Sequence, residues 1–510
     1  MATIYQELEN LLEYGLKEKL FEKEDKVYVR NRIMAVLKLD EWEDRTPSVQ
    51  IASLSRTLNS ILDWAYKNGL IETNTITERD ILETEIMNCL IPRPSEVIRE
   101  FYNKYEQGPK EATDYYYHLS TASNYIRTDR IQKNKQWRAE TPYGEIDITI
   151  NLSKPEKDPK EIAMMKNVPP SSYPACLLCR ENEGYRGTLR HPARGTHRII
   201  PVKLNGEDWF FQYSPYVYYN EHSIVFRKEH VPMKISEDTF RRLLDFIEAF
   251  PHYFIGSNAD LPIVGGSILS HDHFQSGQYT FALERAETAE IIRLRNFPTV
   301  TIGRVNWPMS VLRVQGSKEE VAEVSNIIFQ TWQNYSDPPA EIHAHTGRTP
   351  HNTVTPIARK RGKLFEMDVV LRNNRTSEEF PDGIFHPHQE LHHIKKENIG
   401  LIEVMGLAVL PGRLSDELNN LAMYLLNPIE KSMWGQDMLK HWEWYCDIRR
   451  KYSQPTEDNV MEMIKCEIGQ KFQTVLEHAG VYKQTDEGLI AFKRFLDALE
   501  NNNHLKGISG

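Results

Sequence analysis

The sequence predicts an α+β protein, helical at its N-terminal and C-terminal ends, with a duplicated sheet-forming unit between them. Three observations predict it. Apolar residues recur at helical spacing to about residue 140, the patterning switches to strand-like alternation at Gly144, and the order strand, capped helix, strand then occurs twice.

The helical start is read from Ile4, Leu8, Leu11 and Leu12, then Ile61, Leu62, Trp64 and Ala65, then Ile81, Leu82, Ile86 and Leu90. Each set places apolar side chains on one helix face. Beyond Gly144, Ile146, Ile148, Ile150 and Leu152 alternate with polar residues, which is a strand signal. Ser153 to Lys160 (SKPEKDPK) carries two prolines and charges of both signs, so it reads as a linker or surface loop. In the first unit, Ser223 to Phe226 is a strand and Ser236 is an N-cap with Glu237 and Asp238 in the first turn. Phe240, Leu243, Leu244 and Ile247 form the buried stripe of a helix that Pro251 ends. Ile263 to Leu269 (IVGGSIL) reads as an apolar, glycine-bearing strand leading into His271. In the second unit, Met309 to Val314 is a strand, and Ser317 with Glu320 forms a capping box. Val321, Val324, Ile328 and Trp332 form the stripe, and Leu364 to Leu371 is the next strand. From Ser415 the chain is again mostly helical. The regions are 1–160, helical; 161–295, the first unit; and 296–510, the second unit with the C-terminal helices.

Composition narrows the function. The 510 residues carry 62 basic and 72 acidic side chains, a formal net charge of -10, which argues against a general nucleic-acid binder. The N-terminus, with Glu7, Glu9 and Glu13, has neither the basic nor the apolar region of a signal peptide. No apolar run approaches the roughly 20 residues of a membrane helix. Five cysteines in so long a chain fit a reducing cytoplasm.

The most informative segment is Ser270-His271-Asp272-His273-Phe274-Gln275. On a strand, His271, His273 and Gln275 share one face, because side chains alternate. An imidazole is a phosphorus nucleophile near neutral pH, since much of it is unprotonated there. Spacing alone leaves a metal site or ordinary surface histidines equally open. Cys176-Leu177-Leu178-Cys179 has the spacing of half a zinc site, against the alternative of two thiols on a loop. Arg190, His191, Arg194, His197 and Arg198 form a cationic cluster suited to phosphate or to a charged surface loop. His392, His393, Lys395 and Lys396 form a second. His386-Pro387-His388 resembles a catalytic tripeptide but is followed by Glu390 where a glutamine is required. Trp209 to Tyr219 (WFFQYSPYVYY) is aromatic-rich, suited to stacking on a base or to core packing.

His-x-His-x-Gln after a Gly-Gly-Ser segment, behind a strand and a capped helix, resembles the histidine-triad superfamily. Within it the chain is similar to the second class of galactose-1-phosphate uridylyltransferases. INLSKPEKDPKEIA (150–163), the CLLC segment and HPHQELHHIKKENIGLIEVMGLAVLPGRL (386–414) extend the resemblance over essentially the whole chain.

That resemblance implies a duplicated histidine-triad-like unit with an antiparallel sheet. It implies uridylyl transfer from UDP-glucose to galactose 1-phosphate, by ping-pong through His273, in a cytoplasmic protein that forms a homodimer. Another nucleotidyltransferase or a nucleotide phosphorylase on the same scaffold is the alternative. So is a zinc-stabilised binding module without turnover, although the group of His271, His273 and Gln275 is hard to explain on that view. Gln275 is expected to hydrogen-bond the transferring phosphoryl group; unlike a histidine, a glutamine cannot act as acid or base there. His271, Ser267, Arg194, Arg198, Lys395 and Lys396 are the expected substrate contacts. Cys176, Cys179, His271 and His222 are the expected ligands of a structural zinc. The iron site of some first-class relatives is not expected, because Phe365 to Val369, the matching strand, has no histidine.

Overall fold

The computed structural model describes residues 3–47, 53–153, 172–452 and 454–506. Most of the expected linker, 154–160, and the rest of the segment to 163 lie outside the described residues. The N-terminal region is helical: α1 (Ile4–Lys17), α2 (Lys26–Val36), α3 (Leu54–Lys67), α4 (Ile76–Asn88), α5 (Pro94–Tyr105) and α6 (Pro109–Ala122). Thr3 and Thr75 accept first-turn N–H groups that have no partner within the helix. Pro94 and Pro109 start their helices where no N–H is needed. The alternating segment forms β2 (Gly144–Ile150), paired with β1 (Lys135–Thr141). A third strand, numbered β15 in chain order (Leu407–Leu410), pairs parallel with β2, so the C-terminal half completes this sheet.

The two expected units form one continuous ten-stranded sheet. Its first half holds β3 (Ile200–Leu204), β4 (Glu207–Tyr213), β5 (Ser223–Arg227), β6 (Phe254–Gly256) and β7 (His273–Gly277). Its second half holds β8 (Thr288–Ile292), β9 (Thr301–Val305), β10 (Val311–Gly316), β13 (Asn352–Arg361) and β14 (Leu364–Asn373). A small ribbon, β11 (His345–Thr346) and β12 (Thr349–Pro350), stands apart. The strand order is β3-β4-β5-β7-β6-β13-β14-β10-β9-β8, and every pairing is antiparallel. The halves meet where Gly256 of β6 pairs with Ile357 of β13. Helix α7 (Glu237–Ala249) follows β5, and α8 (Lys318–Gln333) follows β10; Ser236 with Thr239 and Ser317 with Glu320 form their capping boxes. Helices α9 (Leu414–Leu426), α10 (Trp442–Lys451), α11 (Val460–Ala479) and α12 (Asp486–Lys506) close the chain. No helix among the described residues is long and apolar enough to cross a membrane.

One expected strand is not a strand. Residues 263–269 form a loop, and β7 begins only at His273. The glycines explain why. A Cβ on Gly265 would sit 2.6 Å from the Ala259 carbonyl oxygen, and one on Gly266 would sit 2.8 Å from the Asn258 amide. The pair folds the chain back onto the segment after β6 instead of extending it.

The sheet's two faces have different tasks. Phe274, Val225, Ile255, Val369 and Leu312 share one core with α7, α8 and the N-terminal helices. Phe254, Ile357, Val370 and Val311 share the other with β2, β15 and the C-terminal helices. On this second face Gln275, Gly256, Ile357, Asp368 and Arg313 are successive neighbours across five strands. The far end of that row is a buried ion network. Arg313 meets Asp368 at 2.7 Å, Arg359 meets Asp368 at 2.6 Å, and Glu366 joins them. Glu366 and Asp368 lie on the strand segment Phe365 to Val369, which carries no histidine. Removing Asp368 leaves two buried guanidiniums with only Glu366 to share. Asp368→Ala should therefore cost about 3–5 kcal/mol, read as a fall in the thermal unfolding midpoint; an unchanged midpoint would refute it.

Candidate active site

His273 opens β7, and alternation sets its neighbours apart. Phe274 turns to the opposite face and stacks on Trp209, centroids 4.8 Å apart. Asp272, just before the strand, is buried near Arg242 and Arg227, and burial lifts its carboxyl to about 6 despite them. His273 itself is 5% exposed. Its Nδ1 lies 2.8 Å from the His271 carbonyl oxygen. A carbonyl only accepts, so Nδ1 carries the proton and Nε2 carries the lone pair. Burial, with a smaller contribution from the His271 charge, lowers the His273 pKa to about 4. The ring is neutral at physiological pH.

Gln275 follows on the same face. Its Oε1 is buried and has no hydrogen-bond partner among the described residues. The neighbouring His222 donates from Nδ1 to the Tyr216 carbonyl at 2.7 Å, which leaves Nε2 turned to the Gln275 side chain without closing a bond. Burial lowers the His222 pKa to about 4. Two orphaned buried polar atoms side by side call for a polar ligand.

His271 does not share the strand. It sits in the bend before β7 and turns its ring toward the CLLC loop. Its Nε2 donates to the Arg227 carbonyl at 2.7 Å, and its Nδ1 lies 3.3 Å from Cys176 Sγ and 3.8 Å from Cys179 Sγ. Cys176 and Cys179 are 3.4 Å apart at sulfur, and His230 Nδ1 is 3.0 Å from Cys179 Sγ. All four donor atoms lie within 4.8 Å of one another. A tetrahedral ion with bonds of ~2.0–2.3 Å needs donors roughly 3.3–3.8 Å apart, so this group can hold one. The fourth donor atom of this group is His230 Nδ1, whereas the expected His222 lies apart from it, its ring held beside Gln275 by the Tyr216 carbonyl. His230 lies in the turn after β5, and nothing in its sequence spacing from the cysteines marks it.

The expected substrate contacts divide. Arg194 is buried, with its guanidinium over the Tyr125 ring at 5.7 Å. Arg198 is committed elsewhere: it donates to the carbonyls of Pro92, Gly195 and His197 at 3.0, 3.2 and 2.9 Å and to Asn88 Oδ1 at 2.9 Å. It staples its loop to the N-terminal helices. Lys395 is also committed, to buried Glu403 at 2.8 Å and to the Val409 carbonyl at 3.2 Å. Lys396 is exposed and Ser267 lies exposed on the glycine loop. In the HPH segment, His386 is buried, while His388 stacks on Phe380 at 4.1 Å and packs on His478 at 4.2 Å. Trp209, Phe211 and Tyr213 are core residues, whereas Tyr216 lines a cavity.

Two sheet halves merged into one antiparallel sheet, with His273 and Gln275 on one face of a central strand, define an α+β protein with a histidine–glutamine site. Residues 19–232 match the N-terminal domain of galactose-1-phosphate uridyl transferase and residues 246–442 its C-terminal domain. The chain belongs to the galactose-1-phosphate uridylyltransferase family. It is 56% identical to the galactose-1-phosphate uridylyltransferase of Halalkalibacterium halodurans, over 98% of this chain and 99% of that one. It is 56% identical to that of Bacillus subtilis, over 98% of each. Among solved structures, yeast Ap4A phosphorylase Apa2 aligns with 64% of this chain and 90% of its own, at 11% identity and a TM-score of 0.31.

The commitment of Lys395 is open to test. Lys395→Met strands the Glu403 charge and should cost about 3–5 kcal/mol. Adding Glu403→Gln should recover most of the lost melting temperature. A single variant as stable as the parent would show that the pair is not structural.

Proposed function

We propose that the protein transfers a uridylyl group from UDP-glucose to galactose 1-phosphate, with His273 as the covalent nucleophile. The observation that carries the reading is the His273 tautomer: the His271 carbonyl holds the proton on Nδ1, so Nε2 offers its lone pair to phosphorus. Nε2 attacks the α-phosphorus, a P–N bond forms, and the bond to the β-phosphate oxygen breaks to release glucose 1-phosphate. A phosphate oxygen of galactose 1-phosphate then attacks the same phosphorus, the P–N bond breaks, and UDP-galactose leaves. The Nδ1–H bond to the carbonyl stabilises the positive charge that the ring gains on bonding. Gln275, on the same strand face as His273, directs its amide N–H to a non-bridging phosphoryl oxygen. It can steady the intermediate but cannot protonate a leaving group, which favours a sugar phosphate over water as acceptor.

Cys176, Cys179, His230 and His271 are the residues that would hold a zinc ion. Two thiolates and two imidazoles are its usual structural ligand set. Bound there, the ion would cross-link the CLLC loop to the entry of β7. His271 then acts through its backbone, since its ring belongs to the metal group while its carbonyl orients His273.

Intact mass after mixing with UDP-glucose alone should show a uridylyl adduct, absent in His273→Ala and discharged by galactose 1-phosphate. A folded parent protein that forms no adduct would overturn the covalent reading. Zinc analysis should find one ion per chain, lost in His230→Ala and retained in His222→Ala. Loss in His222→Ala alone would reverse that ligand assignment.

A further inference from the structure

The His386-Pro387-His388 segment has the look of a catalytic tripeptide, and Glu390 stands where such a motif needs glutamine. Folding gives His388 and Glu390 a different neighbour, the last turn of α11. His388, Glu390 and His478 each offer one ligand atom, and the three atoms lie within 4.8 Å of one another. His478 sits one residue before the end of α11, and Glu390 lies in a single turn, Gln389–Leu391. His388 and His478 are 90 residues apart in the chain, so no sequence spacing marks the group.

The surroundings of each donor suit an ion. His388 donates from Nε2 to the Ile384 carbonyl at 3.1 Å, so Nδ1 keeps its lone pair. A metal-ligating imidazole commonly has this arrangement, its second nitrogen fixed by a backbone carbonyl. The ring is held from both sides, by Phe380 at 4.1 Å and by His478 at 4.2 Å between centroids. His478 Nε2 lies 3.9 Å from Glu390 Oε1. That is too long for a hydrogen bond, yet close to the separation of two donors that share an ion through bonds of ~2.0–2.2 Å. His478 Nδ1 accepts a long contact from the His388 N–H at 3.3 Å. Coordination through Nε2 moves the ring proton to Nδ1 and gives that contact up. Lys483, a nearby cation, is spent on the carbonyls of Glu477, His478 and Gly480 at 3.2, 2.9 and 2.9 Å.

We propose that His388, Glu390 and His478 form a second metal site, for a divalent transition ion. Two imidazole nitrogens and one carboxylate oxygen select zinc, cobalt or nickel over magnesium or calcium, which take oxygen ligands. The Glu390 side chain is 59% exposed, so water completes the coordination. With three protein donors, one of them in solvent, this site binds more weakly than the four-donor group at Cys176, Cys179, His230 and His271, and it loses its ion on dialysis. The bound ion ties α11 to the strap that runs from Phe380 to Asn398. That strap leans on the glycine loop before His271. A Cβ on Gly383 would sit 2.9 Å from Ile263 Cγ2, and Asn398 donates to the Gly265 carbonyl at 3.4 Å.

Cobalt(II), titrated into the full-length protein after zinc loading and dialysis, is the probe. One further equivalent should bind, with visible d–d absorption and without the sulfur-to-cobalt charge-transfer band that two thiolates would give. The bound ion should raise the thermal unfolding midpoint by mass action. Glu390→Gln, at an exposed side chain, should weaken cobalt binding roughly tenfold or more, and His478→Asn should abolish it. No further equivalent, absorption that comes only with a charge-transfer band, or an affinity unchanged in either folded variant would overturn the inference. If His478→Asn does not fold, Glu390→Gln decides. None of these readings depends on uridylyl transfer, so the site and the covalent mechanism stand or fall separately.

Discussion

The hydrogen bond from His273 Nδ1 to the His271 carbonyl is the constraint on which the rest of the site depends. At 2.8 Å it fixes a tautomer, a ring orientation and the direction of the lone pair together. It holds only if the His271 backbone is held, and that residue is gripped from two sides. Its Nε2 donates to the Arg227 carbonyl, and its Nδ1 faces the Cys176 and Cys179 sulfurs. One residue thus couples the loop at 176–179, the turn after β5 and the entry to β7. A structural ion at that point would stiffen the proposed nucleophile without approaching the reacting phosphorus.

The duplication bears on the site through register. Because the two halves share one antiparallel sheet, Gln275 and Asp368 occupy the same row of the same face. The first half leaves that row open at Gln275, whose amide oxygen has no partner among the described residues. The second half closes it with two arginines and two carboxylates. Buried ions of this kind are costly to desolvate and tolerable only when mutually satisfied. In that row the second half is closed by ion pairs, while the polar atoms beside the proposed nucleophile, Gln275 Oε1 and His222 Nε2, lack partners among the described residues.

The elements with strong local signals formed where their patterning placed them. Ser317 with Glu320, the α7 stripe and the alternation of β2 rest on helix capping and on side-chain period, which act over a few residues. The glycine segment before His271 misled for a physical reason. IVGGSIL has the composition of a buried strand, but its glycines serve close packing against Asn258 and Ala259, a contact that composition does not express. His230 was illegible because it reaches the cysteines only when the turn after β5 folds over the CLLC loop.

The sequence by itself determined the family, the α+β class, the helical ends and the pairing of His273 with Gln275 on one strand face, since motif identity and a two-residue period are local properties. Only the tertiary structure decided which cations are available and which histidine joins Cys176, Cys179 and His271 in one group of donor atoms. Arg194, Arg198 and Lys395 look alike along the chain. Folding commits Arg198 to Asn88 and Pro92 and Lys395 to Glu403, and leaves Arg194 buried on Tyr125 with no carboxylate partner among the described residues. The partners that set a charged side chain's task come from segments far apart in the chain, so the task exists only once the sheet and helices have brought them together.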